Sequence, residues 1–130
     1  MLSACNRLCE PTDFHVAVKG KRAGGKLLVI HVAQPEGRRS RPPRVGFVVS
    51  KAVGIAVVRN RVKRRLRHSL RARIPSLPQG VDLVVRANPA SAQVDFLRLE
   101  TELERLLTRV MKDLNEVSVG HKKSVMGRSV

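Results

Sequence analysis

The amino-acid sequence predicts a protein of the α+β or α/β class, with helices packed on one small β-sheet. The chain has 130 residues, of which 42% are apolar, and both values are typical of a single folded domain. Continuous apolar runs bounded by Gly or Pro predict strands, and segments with apolar residues three or four positions apart predict helices. These segments follow one another as helix, strands, helix, strand and helix, an order that favours helices layered on a sheet.

The first half of the chain contains one predicted helix and two predicted strands. We expect residues 1–10 to be loose. The segment PTDFHVAVKG predicts a short helix, since Thr12 or Asp13 suits its start and Gly20 can end it. The runs GGKLLVIHVAQ and RVGFVVSK predict strands, and the Pro-rich, charged segment PEGRRSRPP between them predicts a loop.

The second half begins with a basic helix. It is predicted from about Val58 to Ile74, because Pro75 stops it. VDLVVRA predicts a third strand. A long helix is predicted over residues 95–116, where Leu and Val recur at three and four positions. We expect residues 117–130 to be a disordered basic tail.

The charge of the chain indicates a polyanionic partner. There are 26 Lys and Arg against 10 Asp and Glu, a net charge of +16. Between Gly37 and Val81 there are 13 of the 26 basic residues and no acid. Nucleic acid is the first candidate for such a partner, and an anionic membrane surface is the second. No apolar run is long enough to span a membrane, and the basic helix lacks large apolar anchors, so we expect no membrane partner. The N-terminus, MLSACNRLCEPTDF, does not have the pattern of a secretory signal, so we expect a cytoplasmic location.

The basic helix divides into an apolar side and a cationic side. At about 100° per residue, one apolar stripe forms along it, made by Val58, Val62, Leu66, Leu70 and Ile74. Five arginines cover the opposite half, while Arg59 and Lys63 fall outside this division. Solvated helix faces usually mix charge signs, because pairs of opposite charge support the helix. A face without acids therefore favours a phosphate-rich partner, which arginine grips bidentately.

The sequence contains no recognisable catalytic or metal-binding constellation of its own. Cys5 and Cys9 are separated by three residues, but the four histidines are scattered singly, so we interpret the cysteines as two reduced thiols. We therefore predict no catalytic residue and no metal ligand in the protein.

The stretch RVGFVVSKAVGIAVVRNRVKRRLRHSLR closely resembles the signature of the bacterial ribonuclease P protein component. The resemblance rests on Arg59-Asn60-Arg61 with the following Val-Lys-Arg, and on the preceding Ser50-Lys51. NRL, DF, the apolar strand at 27–32 and LVVRANPA fall in the family's order, so the similarity covers about residues 6 to 112. The chain departs from the family's common residues at a few positions, which are Val18, Ile30, Ala52 and Ile55.

The resemblance implies a subunit of an enzyme that removes the 5′ leader from precursor tRNA. In the family the large RNA subunit performs the cleavage, with Mg²⁺ held mainly by RNA, and the protein has no active site. The implied partners are this catalytic RNA and precursor tRNA. The implied fold is α+β, with a mainly antiparallel sheet of about four strands, three helices in α-β-β-β-α-β-α order, and a left-handed crossover through the basic helix. Residues 11–116 would form a single RNA-binding domain.

The resemblance also implies two sets of contact residues. The basic helix would bind the RNA subunit through Arg59, Asn60, Arg61, Lys63, Arg64, Arg65, Arg67 and Arg71. A cleft between the first helix and the sheet would hold the single-stranded leader through Phe14, Val18, Ile30, Arg44, Phe47, Lys51 and Arg86. The main alternative, left open by composition alone, is a non-enzymatic basic RNA-binding protein, such as a ribosomal or nucleoid protein.

Overall fold

The computed structural model describes the backbone of residues 4 to 126 and the side chains of residues 4 to 114. Over this range the chain forms three α-helices and four β-strands in the order α-β-β-β-α-β-α, which confirms the α+β fold implied by the resemblance. The elements are α1 (Pro11–Val18), β1 (Lys21–Gly24), β2 (Leu28–Ala33), β3 (Arg44–Val48), α2 (Ala56–Arg71), β4 (Asp82–Ala87) and α3 (Phe96–Met126).

The four strands form one mixed sheet in the order β1-β2-β4-β3. β1 pairs antiparallel with β2, β2 pairs antiparallel with β4, and β3 pairs parallel with β4. The sheet is therefore mainly antiparallel, as implied. Because β3 and β4 are parallel neighbours, the chain crosses from one to the other through α2; the left hand of this crossover stays a prediction.

Helices cover both faces of the sheet. Successive strand residues point to opposite faces, so the apolar strands present buried side chains on each face. α2 and α3 pack on one face, where Leu66 and Leu103 are completely buried in the same core as Ile30 and other strand residues. α1 packs on the other face, where Ala17 and Val84 form a smaller apolar cluster. This arrangement leaves the cationic side of α2 pointing away from the core.

The helix boundaries differ from those predicted. α2 begins at Ala56 and ends at Arg71, since residues 74 to 76 form a separate 3-10 turn around Pro75. α3 continues past residue 116, where we predicted its end, into the segment 117–130 that we predicted as a disordered tail. Residues 127–130 lie outside the described range.

The N-terminal segment packs against the outer edge of β3 instead of being loose over residues 1–10. The backbone N–H of Leu8 donates to the Val45 carbonyl at 3.0 Å, and Asn6 Nδ2 donates to the Pro43 carbonyl at 2.8 Å. Leu8 is buried beneath α1. The prediction of a loose segment is therefore wrong from Asn6 onward, because a buried leucine and the edge backbone groups of β3 hold the chain there; residues 1 to 3 are not described.

Candidate nucleic-acid interface

The solvent-facing side of α2 carries most of the predicted RNA contacts. Val62, Leu66 and Leu70 are completely buried, as the apolar stripe predicted, while Val58 and Ile74 are only partly buried. The opposite side of the helix is exposed, and four of the eight predicted RNA-contact residues lie fully on it: Asn60, Arg64, Arg67 and Arg71. We call these four residues the exposed α2 face. Three long cations on it extend into solvent and are available to a polyanion.

The other four predicted residues of α2 are half-buried. Arg65 is tied to the chain before α3, because its Nη1 atom donates to the Val94 carbonyl at 3.0 Å. The buried Nε atoms of Arg59 and Arg61 have no hydrogen-bond partner among the described residues. Lys63, which fell outside the predicted division of the helix, lines a depression at the edge of the sheet together with Arg67. These side chains are more constrained than those of the exposed α2 face, so each offers fewer directions of contact.

A depression of about 300 Å³ lies where α1, the edge strand β3 and α2 meet. We call it the β3-edge cleft, and it is lined by Arg7, Leu8, Cys9, Phe14, Val45, Gly46, Phe47, Lys63 and Arg67. Two of the predicted leader-cleft residues, Phe14 and Phe47, therefore line it, Phe14 from the α1 side of the sheet and Phe47 from the side of the main core. Aromatic rings beside cations form a suitable site for single-stranded nucleic acid, since bases stack on rings while phosphates pair with cations.

Gly46 permits the position of Phe14 in this cleft. A β-carbon at Gly46 would overlap the Cζ and Cε1 atoms of the Phe14 ring. Gly46 has an ordinary strand backbone, so its role here is the close approach of a side chain rather than an unusual dihedral angle. The ring of Phe14 thus explains why a residue without a side chain stands at this position of β3.

Val18 and Arg86 lie near a buried histidine on the α1 side of the sheet. His31 is 3% exposed, and Arg86 Nη2 lies 3.4 Å from its Nε2 atom. Burial lowers the pKa of His31 below 6.5, and the positive charges of Arg86 and Arg22 lower it further. The Val18 backbone acts in the opposite direction and raises the pKa of His31, although the Nδ1 atom of His31 has no hydrogen-bond partner among the described residues. His31 is therefore neutral at pH 7, and Arg86 remains exposed beside it.

Ile30 does not belong to this surface, and its assignment to the leader cleft is corrected. It has no exposed area and lies in the core under α2 and α3. Since successive strand residues point to opposite faces, its neighbour His31 is the residue that faces α1. The sequence pattern did not indicate His31, because β2 is apolar on both faces and gives no alternation from which to choose.

Arg44 is also unavailable as a simple leader contact. Its Nε and Nη2 atoms donate to both carboxylate oxygens of Asp82 at 2.8 and 2.6 Å, and Nη1 donates to Asp13 at 3.1 Å. Asp82 is completely buried, and the hydrogen bonds to it raise the pKa of Arg44 above its ordinary value. This pairing ties the start of β4 to β3 and α1, so Arg44 supports the site rather than extending into it.

Lys51, the remaining predicted leader residue, is exposed in the 3-10 turn between β3 and α2. Two acids of α3, Glu102 and Glu104, lie elsewhere and are engaged. Glu104 accepts from Arg73 Nε at 2.6 Å, and Glu102 accepts from the backbone N–H groups of Leu27 and Leu28 at 2.6 and 2.8 Å. The fold thus separates acids paired along α3 from cations exposed on α2.

The family model for ribonuclease P matches residues 2–111 of this chain. The chain belongs to the ribonuclease P protein component family. The ribonuclease P protein component of Nocardioides sp. is 51% identical over 111 residues, covering 85% of this chain and 95% of that protein. The one from Streptomyces avermitilis is 48% identical over 118 residues, covering 85% and 96%. The sequence-based resemblance is thereby confirmed.

Solved structures of ribonuclease P proteins have the same fold as this chain. The protein from Staphylococcus aureus superimposes with a TM-score of 0.71 at 26% identity, covering 79% of this chain and 93% of that one. The protein from Thermotoga maritima gives a TM-score of 0.68 at 28% identity, covering 80% and 96%. These superpositions cover about four fifths of this chain, and therefore most of the helices and strands described above. Within the described residues, no helix is both long and apolar enough to cross a membrane.

Proposed function

We propose that this chain is the protein subunit of ribonuclease P and supports removal of the 5′ leader from precursor tRNA. One observation carries the proposal beyond family membership: the exposed α2 face concentrates three exposed arginines beside the β3-edge cleft, on a helix without acids. RNA contacts of this kind are dominated by phosphate neutralisation, for which arginine is well suited. We expect the protein to act in the cytoplasm.

In this proposal the two surfaces have separate partners. The exposed α2 face binds the RNA subunit. The β3-edge cleft and the neighbouring α1 side of the sheet bind the single-stranded leader, with Phe14 and Phe47 stacking on bases. Lys63 and Arg67 belong to α2 and also line the β3-edge cleft. Their position supports a path in which the leader runs from the cleft towards the RNA subunit on α2.

We further propose that cleavage is carried out by the RNA subunit, with Mg²⁺ bound mainly by RNA and substrate. Over residues 4–114, no three His, Cys, Asp or Glu side chains converge to hold a metal ion. The buried carboxylate of Asp82 is occupied by Arg44, and Cys5 and Cys9 are exposed without a metal-binding cluster. The protein would contribute positive charge and positioning, both of which lower the concentration of Mg²⁺ that the RNA needs.

Reconstitution with the RNA subunit tests this function. Cleavage of precursor tRNA is measured at low Mg²⁺ with RNA alone, protein alone and both together. We expect specific cleavage only with both, while RNA alone should need high Mg²⁺ because cations must then replace the screening by α2. If the protein does not lower the Mg²⁺ requirement, it is a basic RNA-binding protein with another role. Specific cleavage by nuclease-free protein alone would contradict catalysis by the RNA subunit.

A further inference from the structure

We propose that the junction of α2 and α3 forms a second stacking site, which binds one unpaired nucleobase of the RNA subunit. The site is a depression of about 350 Å³ with a mainly apolar wall, lined by Arg64, Arg65, His68 and Phe96. We call it the junction platform. The inference rests on the proposed RNA interface, because the platform opens on the same helix as the exposed α2 face.

The rings of the junction platform are already arranged as a pair. The ring centroids of His68 and Phe96 are 5.6 Å apart with planes inclined at 63°, an edge-to-face contact. His68 is exposed and Phe96 is half-buried, so ring surface remains open at the side of α2. An open aromatic pair on a cationic surface has the character of a base-stacking site, since every base presents a flat π-face.

The two arginines of the platform differ in how firmly they are held. Arg65 is held by the hydrogen bond from its Nη1 atom to the Val94 carbonyl at 3.0 Å, which fixes its planar guanidinium at the wall. Arg64 is exposed and has no salt bridge within the described residues. A fixed guanidinium can stack on a base, and a free one can follow the phosphate of the same nucleotide.

The acids that flank the platform are engaged with other groups. Asp95 Oδ1 accepts the backbone N–H of Arg98 at 2.8 Å and so caps the start of α3. Glu100 accepts from Ser69 Oγ at 3.3 Å and lies 3.7 Å from Arg73 Nη1. These carboxylates repel phosphate from the α3 side. This repulsion favours an orientation in which the base stacks on Phe96 and the phosphate pairs with Arg64.

The chemistry of the platform selects an unpaired nucleotide over other occupants. An apolar peptide would leave the charges of Arg64 and Arg65 without a counter-ion, whereas a nucleotide brings both a flat ring and a phosphate. A base in a helix offers only its edge, so the nucleotide must be unstacked, as in loops and bulges of RNA.

Replacement of the ring tests the platform against a neighbour on the same helix. Phe96→Leu keeps an apolar side chain but removes the π-face, and we expect affinity for the RNA subunit to fall about 5- to 140-fold, the range given by loss of one stacked base. Leu97→Ala is the matched control, because Leu97 is 69% exposed and does not line the depression. It should leave affinity unchanged.

Salt dependence separates failure of the platform from failure of the proposed function. Phe96→Leu should lower affinity without changing the slope of log K against log salt, since every phosphate remains paired with its cation. If Arg64→Ala weakens binding and Phe96→Leu does not, the platform is refuted and the RNA interface stands. If neither substitution weakens binding, the RNA interface proposed for α2 is also refuted.

A fluorescent variant decides the question even if Phe96→Leu fails to fold. The chain has no Trp and no Tyr, so Phe96→Trp introduces a single reporter with no background. We expect its emission to be quenched when the RNA subunit binds, and also by oligoadenylate at higher concentration. An abasic oligomer of equal length should not quench it. Unchanged emission with saturating RNA subunit, or equal quenching by the abasic oligomer, would overturn the proposal.

Discussion

Phe14 of α1 packs directly over Gly46 of β3, at a distance that leaves no room for a β-carbon. This contact sets the width of the β3-edge cleft, because the ring forms one wall and the strand forms the floor. Gly46→Ala should therefore displace the ring and weaken binding of the precursor leader by about tenfold, within the range for loss of one stacked base.

The displacement can be followed by NMR, since the chain has three Phe and no other aromatic residue except His. Gly24→Ala in β1 is the control, because a β-carbon there would lie 3.9 Å from Val29 Cγ2, an ordinary contact. A Gly46→Ala variant with the wild-type Phe14 resonance and full leader affinity would show that this contact does not shape the site.

The exposed α2 face gives a second prediction. The triple substitution Arg64→Ala, Arg67→Ala and Arg71→Ala should weaken binding of the RNA subunit and lower its salt slope by about 0.7 to 0.9 for each phosphate that is no longer neutralised. Arg73→Ala is the control, because Arg73 pairs with Glu104 at 2.6 Å instead of facing solvent freely. If the salt slope falls by the same amount per arginine removed in the control and in the triple variant, net charge alone, and not this face, governs binding.

The ion pair between Arg44 and Asp82 predicts an asymmetric loss of stability. Asp82→Ala should lower the free energy of unfolding by about 3 kcal/mol or more, since it leaves a largely buried guanidinium without its main partner. Asp13→Ala removes only the more exposed partner at 3.1 Å and should cost about 1 kcal/mol or less. Urea unfolding measures both. Equal losses would show that the buried pair has no special weight.

His31 predicts a loss of stability in mild acid. Its pKa is lowered in the fold by burial and by Arg86 and Arg22, so the unfolded chain takes up a proton more readily. Its stabilising contribution is therefore full above about pH 6.5, the ordinary value, and falls as the pH drops below it. His31→Gln should flatten the dependence of the unfolding midpoint on pH between about pH 7.5 and 5.5, the range in which histidine titrates. If the midpoint of the His31→Gln variant depends on pH as steeply as that of the wild type, the burial of His31 has no part in the loss.

The sequence predicted the elements with strong patterns and missed those set by distant partners. α2 was predictable because Val62, Leu66 and Leu70 recur on one side of a helix. β1 was not, since only Ala23 of its four residues is buried and the strand exists through its pairing with β2.

The residues of the candidate site also divide into those that the sequence pattern predicted and those that depend on distant partners. Phe14 and Phe47 both line the β3-edge cleft, although from opposite faces of the sheet, whereas Ile30 was chosen where His31 faces α1. When a strand is apolar on both sides, its sequence does not show which residues point to which face of the sheet. For β2 this is decided by its register with β1 and β4. Arg44 likewise looked free in the sequence, because Asp82 lies 38 positions away along the chain.

Leader dependence tests the assignment of the β3-edge cleft. Binding of precursor tRNA with a leader of several nucleotides, and of the same tRNA without one, is compared for the RNA subunit with and without protein. We expect the protein to tighten binding of the leader-bearing substrate selectively, and Phe14→Ala to remove most of that selectivity. An equal effect of the protein on both substrates would contradict the cleft and leave folding of the RNA as its only role.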